Sequence, residues 1–595
     1  MNDKKQFMMG NAGVARGAWE AGCIYATAYP GTPSTQIFEE AAKYPEVYGE
    51  WATNEVVAAE LSIGAQMAGA RTLCSMKHFG MNVASDPIFS SVYNGVLGGL
   101  VFVVADDPGL ATSGTEPDSR RWGPHMKIPV IEPSDSQESK DFTKEAFALS
   151  ERFDTPVMVR MTTRVSHGTG IVRLGEREEV PVKPYVRDVH KNATMSSLGK
   201  HKHDRVEQRL LDLAKFSDET DMNRIEWGDR RIGILCNGIS YHYCREIFGE
   251  HASYLKIGFA YPLPEKKIRE FAAGVDKLYV VEELDPYMEE YVRQLGIPCT
   301  GKAIIPRTLE LTVDIIKEAF GLTDGRVPYT VDAKAPDRAP NFCAGCTHRG
   351  VYYTMAKHLK EVVACGDIGC YNLAVLPPFS VHETMQDMGG SIGTAISFWK
   401  IFEQIGRKEK PFAFIGDSTF FHSGMPALAD AVYRRAKIVL VVLDNSATAM
   451  TGHQDNVGTG YTFDKTPTQP VLIPETIEGL GVPKEQIRIV DPYDLQAMDD
   501  AVKEGIAAEE LFVIIAKRPC PLLKSTRRER AGLHCRVDAE KCRACKVCVR
   551  RTGCPALTVG KDGKVSIIRE DCNGCTICAQ VCPFKAIEKE GTDHE

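Results

Sequence analysis

The strongest constraint on this chain lies at its end. Residues 532–595 carry Cys542, Cys545, Cys548 and Cys554, the last followed by Pro555, and then Cys572, Cys575, Cys578 and Cys582, followed by Pro583. Both runs read C-x2-C-x2-C-xn-C-P. Around them stand only short strand-like stretches such as KVSIIRE, with no amphipathic helix long enough to make a core, so something other than apolar burial must hold the segment together. Three closely spaced thiolates wrap one face of an iron–sulfur cubane, and in two-cluster ferredoxins the fourth cysteine of each run ligates the other cluster. That crossing assigns Cys542, Cys545, Cys548 and Cys582 to one [4Fe–4S] cluster, and Cys572, Cys575, Cys578 and Cys554 to the other. Paired structural zinc sites are the competing reading, but zinc favours C-x2-C knuckles over triplets. The first run has five residues, VRRTG, before its last cysteine where the second has three. Two clusters imply one-electron transfer and name no substrate.

The remainder is large enough for several cores. A length of 595 residues implies roughly three to five domains. A hydrophobic content of 43% and a charged content of 25% are ordinary for soluble globular chains and exclude fibrous and wholly disordered classes. Lys and Arg number 71 against 79 Asp and Glu, a net charge of −8, so nothing suggests a nucleic-acid partner. The longest apolar run, Gly95 to Ala105, falls short of the ~18 residues that read as a membrane span and is expected to be a buried strand. MNDKKQFMMGNAGVARG lacks the apolar region and cleavage site of a secretory signal, so a cytoplasmic location is expected. In that reducing compartment 19 cysteines point to metal or redox chemistry rather than disulfides.

Strands alternate with helices through most of the chain, which predicts α/β parallel-sheet domains. Residues 1–173 form the first, with strands in IYATAYPGTP, TLCSMKH, LVFVVADDP and TPVMVRMTTR and a helix through EVVAAELSIGAQMAGA. Residues 174–228 turn polar and charged and are expected to be a linker. Residues 229–325 form a second block, opening with RRIGILCNG. After the proline-bearing boundary VDAKAPDRAP, residues 336–525 form a third, with FAFIGD, IVLVVLDN and LFVIIAKRP as strands. The expected fold class is therefore α/β, three parallel-sheet domains plus a small C-terminal two-[4Fe–4S] ferredoxin-like α+β domain.

Within the third block, PFAFIG leads through Gly416 into Asp417 and Ser418. A helix, SGMPALADAVYRR, follows, and IVLVVLD then ends in Asn445. In a βαβ unit the right-handed crossover opens both strand ends onto the carboxyl edge of the sheet, where ligands bind, so Asp417 and Asn445 should meet in space. A carboxylate, an amide oxygen and a nearby backbone carbonyl suit an octahedral Mg²⁺ that also takes phosphate oxygens. The spacing resembles the thiamine diphosphate motif, G-D-G/S followed within thirty residues by a D/N-N pair. Upstream, MGGSIGTAISF places Gly390 and Ser391 at a helix start, where free N–H groups can receive phosphate. Downstream, TAMTGHQ reads as a ligand-facing loop or a surface turn. Thiamine chemistry also needs a carboxylic acid on the aminopyrimidine as a proton relay. Glu55, at the start of a helix in the first block, is the candidate and Glu60 its competitor.

GNAGVARGAWEAGCIYATAYPGTPST, TNEVVAAELSIGAQMAGARTLCSMKHFGMNVASDP, IPVIEPSDSQE, GDIGCYNL with LPPF, and GDSTFFHSGMPAL through LDNSATAMTGHQ together resemble the alpha subunit of indolepyruvate ferredoxin oxidoreductase. The resemblance covers nearly the whole chain, in order, and is weakest across the charged linker. It implies a pyrimidine-binding domain, a transketolase-C-like domain, a diphosphate-binding domain and a ferredoxin domain. Glu55 would contact the pyrimidine. Asp417, Asn445 and the Ala447 carbonyl would hold Mg²⁺, and Gly31, Thr32 and Pro33 would form the PGTP turn near substrate or cofactor. Lys77 and His78, after the strand TLCSM, would face the reacting carbon, with a polar strand end as the alternative. The wider 2-oxoacid:ferredoxin oxidoreductases hold a proximal cluster through a C-x-x-C, a cysteine about 25 residues on and a remote one. Cys343, Cys346, Cys370 and Cys520 fit that pattern, which gives a third [4Fe–4S] cluster; four inert buried cysteines are the alternative.

The implied reaction is oxidative decarboxylation of an aryl 2-oxoacid with CoA, electrons leaving singly to ferredoxin, in a heterodimer or heterotetramer with a smaller beta subunit. Three segments depart from the family pattern. ATSGTEPDSRR follows LVFVVADDP, CAGCTH stands where C-P-G-C-P-H is usual, and MQDMGGS replaces a more apolar version. A non-aryl 2-oxoacid is therefore a second expectation. A non-oxidative thiamine-dependent decarboxylase would leave the cysteine module idle, and an electron-transfer scaffold would have no use for Glu55, Asp417 and Asn445.

Overall fold

A computed structural model describes residues 4–322 and 339–591. The chain divides into two compact units, Met1–Val331 and Asp332–Glu595. Most of VDAKAPDRAP, and with it the boundary expected between residues 325 and 336, lies outside the described residues.

The first unit is built on a seven-stranded sheet, in the order Phe259–Tyr261, Val130–Ile131, Val157–Thr162, Leu100–Asp106, Thr72–Lys77, Tyr25–Ala28 and Tyr48–Trp51. All neighbours are parallel except the edge strand Phe259–Tyr261. Its central strands, Thr72–Lys77, Leu100–Asp106 and Val157–Thr162, are buried along their whole length. Near-continuous apolar runs are what a sheet covered on both faces requires. A four-stranded sheet follows: Leu278–Val281, Gly233–Asn237 and Ser253–Ile257 in parallel, with Arg224–Glu226 antiparallel at the edge. The two sheets are tied together by Arg120 paired with Glu282 at 2.6 Å and by Asn237 donating to Glu132 at 2.6 Å, while Arg160 pairs with Glu132 at 2.6 Å inside the first sheet. Burial without such partners would cost each guanidinium several kcal/mol, of order 3–5.

Three expectations need correcting here. Residues 174–228 are not simply a linker: they contain the helix Ser196–Glu219 and the strand Arg224–Glu226. The helix buries Lys202, Val206, Arg209, Leu213 and Ser217, a stripe at helical spacing. The second block is not self-contained, since its Phe259–Tyr261 completes the first sheet. In the apolar run Gly95–Ala105 the strand begins only at Leu100, after Gly95 takes φ +74°.

The second unit holds a five-stranded all-parallel sheet, in the order Val362–Cys365, Lys410–Gly416, Val439–Asp444, Phe512–Lys517 and Ile487–Val490. The helix expected over SGMPALADAVYRR starts at Met425, after a wider π-turn at Phe420–Gly424. The cysteine-rich module adds two small antiparallel ladders, His534–Val537 with Ile587–Glu590 and Leu557–Val559 with Val565–Ile567. The five-residue insert before Cys554 is absorbed by the helix Val547–Thr552, which ends at Gly553 with φ +57°. This is an α/β chain with a small α+β module. Among the described residues no helix is long and apolar enough to cross a membrane.

Candidate active site

In the second unit, parallel strands Lys410–Gly416 and Val439–Asp444 pair Gly416 with Leu443, which brings Asp417 and Asn445 to one sheet edge. The Asp417 carboxylate accepts the Ser418 amide at 2.8 Å and the Ala447 amide at 3.0 Å. Burial, with the Asp444 charge beside it, pushes the Asp417 carboxyl up to about 7. A buried acid short of cationic partners is the arrangement that a metal ion relieves. Asn445 contributes a buried side-chain oxygen with no hydrogen-bond partner. Such an orphaned acceptor costs roughly 1–3 kcal/mol unless something binds it. A polar cavity of about 20 Å³ touches Asp417, Asp444, Ser446 and Asn456. The donor set and the orphan oxygen thus fit Mg²⁺ with a diphosphate. Ser418 accepts the Thr448 hydroxyl at 2.8 Å, which brings the TAMTGHQ turn to the same edge.

Gly390 and Ser391 open the helix Gly390–Ile405, but the Ser391 hydroxyl is already committed. It donates to Asp367 at 3.0 Å, as does the Gly389 amide at 3.1 Å and the Tyr371 hydroxyl. Burial pushes the Asp367 carboxyl up to about 8. Asp367 sets the register of this helix start, and its role was not read from the sequence. The only signal was its place in GDIGC, just past a strand end.

Cys343, Cys346, Cys370 and Cys520 come from three separate loops and gather close enough to feel one another's charge. The Cys520 amide donates to the Asn445 carbonyl at 2.8 Å. Farther along, one cavity is lined by Cys554, Cys572, Cys575 and Cys578 together with Ala344 and Gly345 of the C-x-x-C loop. Another is lined by Cys542, Cys545, Cys548 and Cys582, with Arg543, Lys546 and Phe584 on its rim. Gly345 has φ +66°, and a Cβ there would meet the Asn573 side chain at 2.1 Å, so only glycine lets the two cysteine loops approach so closely. Arg349, 1% exposed, donates to the Cys343 carbonyl at 3.0 Å and to the carbonyls of Phe342 and Thr552. Its charge lies among Cys554, Cys346, Cys575 and Cys343. Sequence reading missed it, although a basic residue three places after a C-x-x-C is a usable signal.

In the first unit, the turn Gly31–Thr32–Pro33, Glu55 and the Lys77–His78 pair lie at or just past the carboxyl ends of neighbouring strands, Lys77 being the last residue of its strand. Glu55 is 6% exposed and opens the helix Glu55–Met67, capped by Asn54. Glu60 is exposed, so burial separates the two candidates. The absence of a side chain at Gly80 makes room for Glu55, whose Oε1 lies 2.9 Å from where a Cβ would stand. Lys77 donates to the Thr112 carbonyl and hydroxyl, both at 3.1 Å, and Thr112 donates to the Thr32 carbonyl at 3.1 Å. The divergent ATSGT loop, the PGTP turn and Lys77 therefore form one cluster. Burial brings the Lys77 amine down to about 8. Burial first, and the Lys77 charge second, bring the His78 imidazole down to about 4. Neither ring nitrogen of His78 makes a well-formed hydrogen bond.

These features define a class, the thiamine-diphosphate-dependent oxidoreductases that carry iron–sulfur clusters. Three family models match. Residues 16–209 fit the thiamine-diphosphate-binding domain of pyruvate flavodoxin/ferredoxin oxidoreductase, residues 367–516 the C-terminal TPP-binding domain of thiamine pyrophosphate enzymes, and residues 565–588 the 4Fe-4S binding domain. The chain is 36% identical to the indolepyruvate oxidoreductase subunit IorA of Methanothermobacter thermautotrophicus, over 99% of this chain and 98% of that one. It is 37% identical to the Archaeoglobus fulgidus IorA, over 98% and 97%. A more distant relative, the 2-oxoglutarate synthase subunit KorA of M. thermautotrophicus, is 28% identical over 47% of this chain and 88% of its own. The chain belongs to the indolepyruvate oxidoreductase subunit IorA family, and its activity is that of a 2-oxoacid:ferredoxin oxidoreductase.

Proposed function

We propose that the chain, with a smaller beta subunit, oxidatively decarboxylates indolepyruvate or a related arylpyruvate. The balanced reaction is 2-oxoacid anion + CoA + two oxidised ferredoxins giving acyl-CoA + CO₂ + two reduced ferredoxins + H⁺. The observation that carries it is the 2.8 Å bond from the Cys520 amide to the Asn445 carbonyl. A loop suited to the metal of a diphosphate and a thiol suited to a cluster share one backbone contact, for which a non-oxidative decarboxylase has no use.

Thiamine diphosphate, when bound, supplies the electron sink for decarboxylation. Glu55 would contact the aminopyrimidine and hold or release a proton at its carboxyl. Asp417, Asn445 and the Ala447 carbonyl would hold Mg²⁺, with Gly390, Ser391, Gly416 and Ser418 shaping the diphosphate side. The Lys77 ammonium, hydrogen-bonded to a neutral threonine, takes the substrate carboxylate. His78, neutral at pH 7, has a single ring N–H to offer to the keto oxygen, and Gly31, Thr32 and Pro33 close that side. Cys343, Cys346, Cys370 and Cys520 would hold a third [4Fe–4S] cluster. Cys554, Cys572, Cys575 and Cys578, whose cavity the C-x-x-C loop also lines, would hold another, and Cys542, Cys545, Cys548 and Cys582, beside Arg543 and Lys546, the last. Such clusters would supply one-electron transfer to ferredoxin.

A non-aryl 2-oxoacid is the second reading, favoured by one observation: Thr112, the partner of Lys77, belongs to the loop that departs from the family pattern. The test is anaerobic reduction of ferredoxin by the chain plus its beta partner with indolepyruvate, phenylpyruvate, 4-hydroxyphenylpyruvate, pyruvate and 2-oxoglutarate, each with and without CoA. CoA-dependent reduction with the aryl acids is expected. Reduction only with a non-aryl acid selects the second reading, and free aldehyde formed without CoA contradicts both.

A further inference from the structure

The cavity lined by Cys554, Cys572, Cys575 and Cys578 is also lined by a fifth cysteine, Cys535. It sits on the strand His534–Val537, outside both cysteine runs, and no ligand spacing includes it. The strand pairs antiparallel with Ile587–Glu590, Cys535 opposite Lys589. It turns Cys535 inward, 2% exposed, while Arg536 faces solvent. The Cys535 amide donates to Cys572 Sγ at 3.3 Å, and its side chain lines the same cavity as the side chains of Cys572 and Cys578. One residue thus places an amide donor on a cysteine sulfur and a thiol in the same cavity.

Coordination to iron requires a cysteine to give up its proton, so Cys572 and Cys578 become acceptors only. Cys535, left out of the four-ligand set, keeps its S–H. Hydrogen bonds to cluster sulfurs stabilise the extra negative charge of the reduced state and raise the potential. No cysteine outside the two runs lines the other C-terminal cavity, so this donor acts on one cluster of the pair.

We propose that Cys535 is a positioning residue of the Cys554/Cys572/Cys575/Cys578 cluster: its thiol donates to the sulfur set of that cavity and holds the cluster at a higher potential than the four ligands alone would give. This rests on the reading that these four cysteines hold a [4Fe–4S] cluster. It makes the inner cluster of the module a better electron acceptor than the ligand set alone would give.

The test is an anaerobic redox titration of the full chain, followed by electron paramagnetic resonance, for wild type, Cys535→Ala and Cys535→Ser. The alanine variant keeps its backbone N–H, so any change belongs to the thiol. Cys535→Ala is expected to retain wild-type iron content and show several-fold less of one cluster signal in its reduced form at a fixed potential. The serine hydroxyl should recover part of this, and the remaining signals should not move. Identical titrations in all three proteins overturn the proposal. Loss of four irons from both variants overturns it too, because Cys535 would then be a ligand or a structural residue. A wild-type chain without the cluster signal removes the reading beneath it as well.

Discussion

In the sheet that carries Asp417 and Asn445 the interior is built of Phe412, Phe414, Val441, Leu443 and Ile514, whereas in the module that follows it is Cys535, Cys548, Leu557, Val565, Cys578 and Ile587. The sheet is closed by apolar area, worth about 25 cal/mol per Å², and needs no guest. Half of the module's interior is thiol, and its two ladders are too short to stand alone. It is secured from outside by Arg349, by Asn341 donating to the Gly553 carbonyl at 2.7 Å, and by Gln580 donating to the Tyr493 carbonyl at 2.7 Å. The lesson is that the redox centre and the substrate centre depend on different kinds of stability, one on metal and one on packing.

Stripping iron from the chain anaerobically should break the comparison most visibly. Hydrogen exchange in the strands His534–Val537 and Ile587–Glu590 should speed up by roughly a hundredfold or more, because metal binding is folding free energy in such modules. The strands Lys410–Gly416 and Val439–Asp444 should stay protected. Equal protection of the module with and without iron would show that its docking contacts suffice.

A smaller effect sharpens the substrate side. On the proposed role, the charged form of Lys77 takes the substrate carboxylate, and burial brings its amine down to about 8. KM for the 2-oxoacid should therefore be flat below that pH and rise above it as the ammonium is lost. Lys77→Met should raise KM by roughly 10–100-fold, the value of a hydrogen bond to a charged group, flatten the rise, and change kcat less. A KM indifferent to Lys77 would move the carboxylate to another residue.

What could be read from the sequence was local. The Gly416–Asn445 unit and the C-x2-C triplets each declare themselves within a few dozen residues, because strand, turn and ligand spacing are fixed by the backbone. The helix Ser196–Glu219 was hidden because two members of its buried stripe are Lys202 and Arg209, which count as solvent-facing in any pattern reading. Their charged ends are satisfied by carbonyls, Lys202 by those of Lys191 at 2.7 Å and Ala193 at 2.9 Å, and Arg209 by that of Val92 at 2.8 Å. Asp367, Arg349 and the Lys77–Thr112–Thr32 cluster were likewise invisible, since each is a meeting of distant segments that no spacing encodes.

On the proposed function, chemistry at the Asp417–Asn445 loop feeds the cysteine-bound clusters. This is tested most directly by following the cluster signals by electron paramagnetic resonance after one anaerobic addition of arylpyruvate to wild type and to Asp417→Ala, each with its beta partner, thiamine diphosphate and Mg²⁺. Reduced clusters are expected in wild type and none in the variant, while dithionite reduces both equally. Clusters reduced by substrate as fast in Asp417→Ala as in wild type would contradict the proposed function.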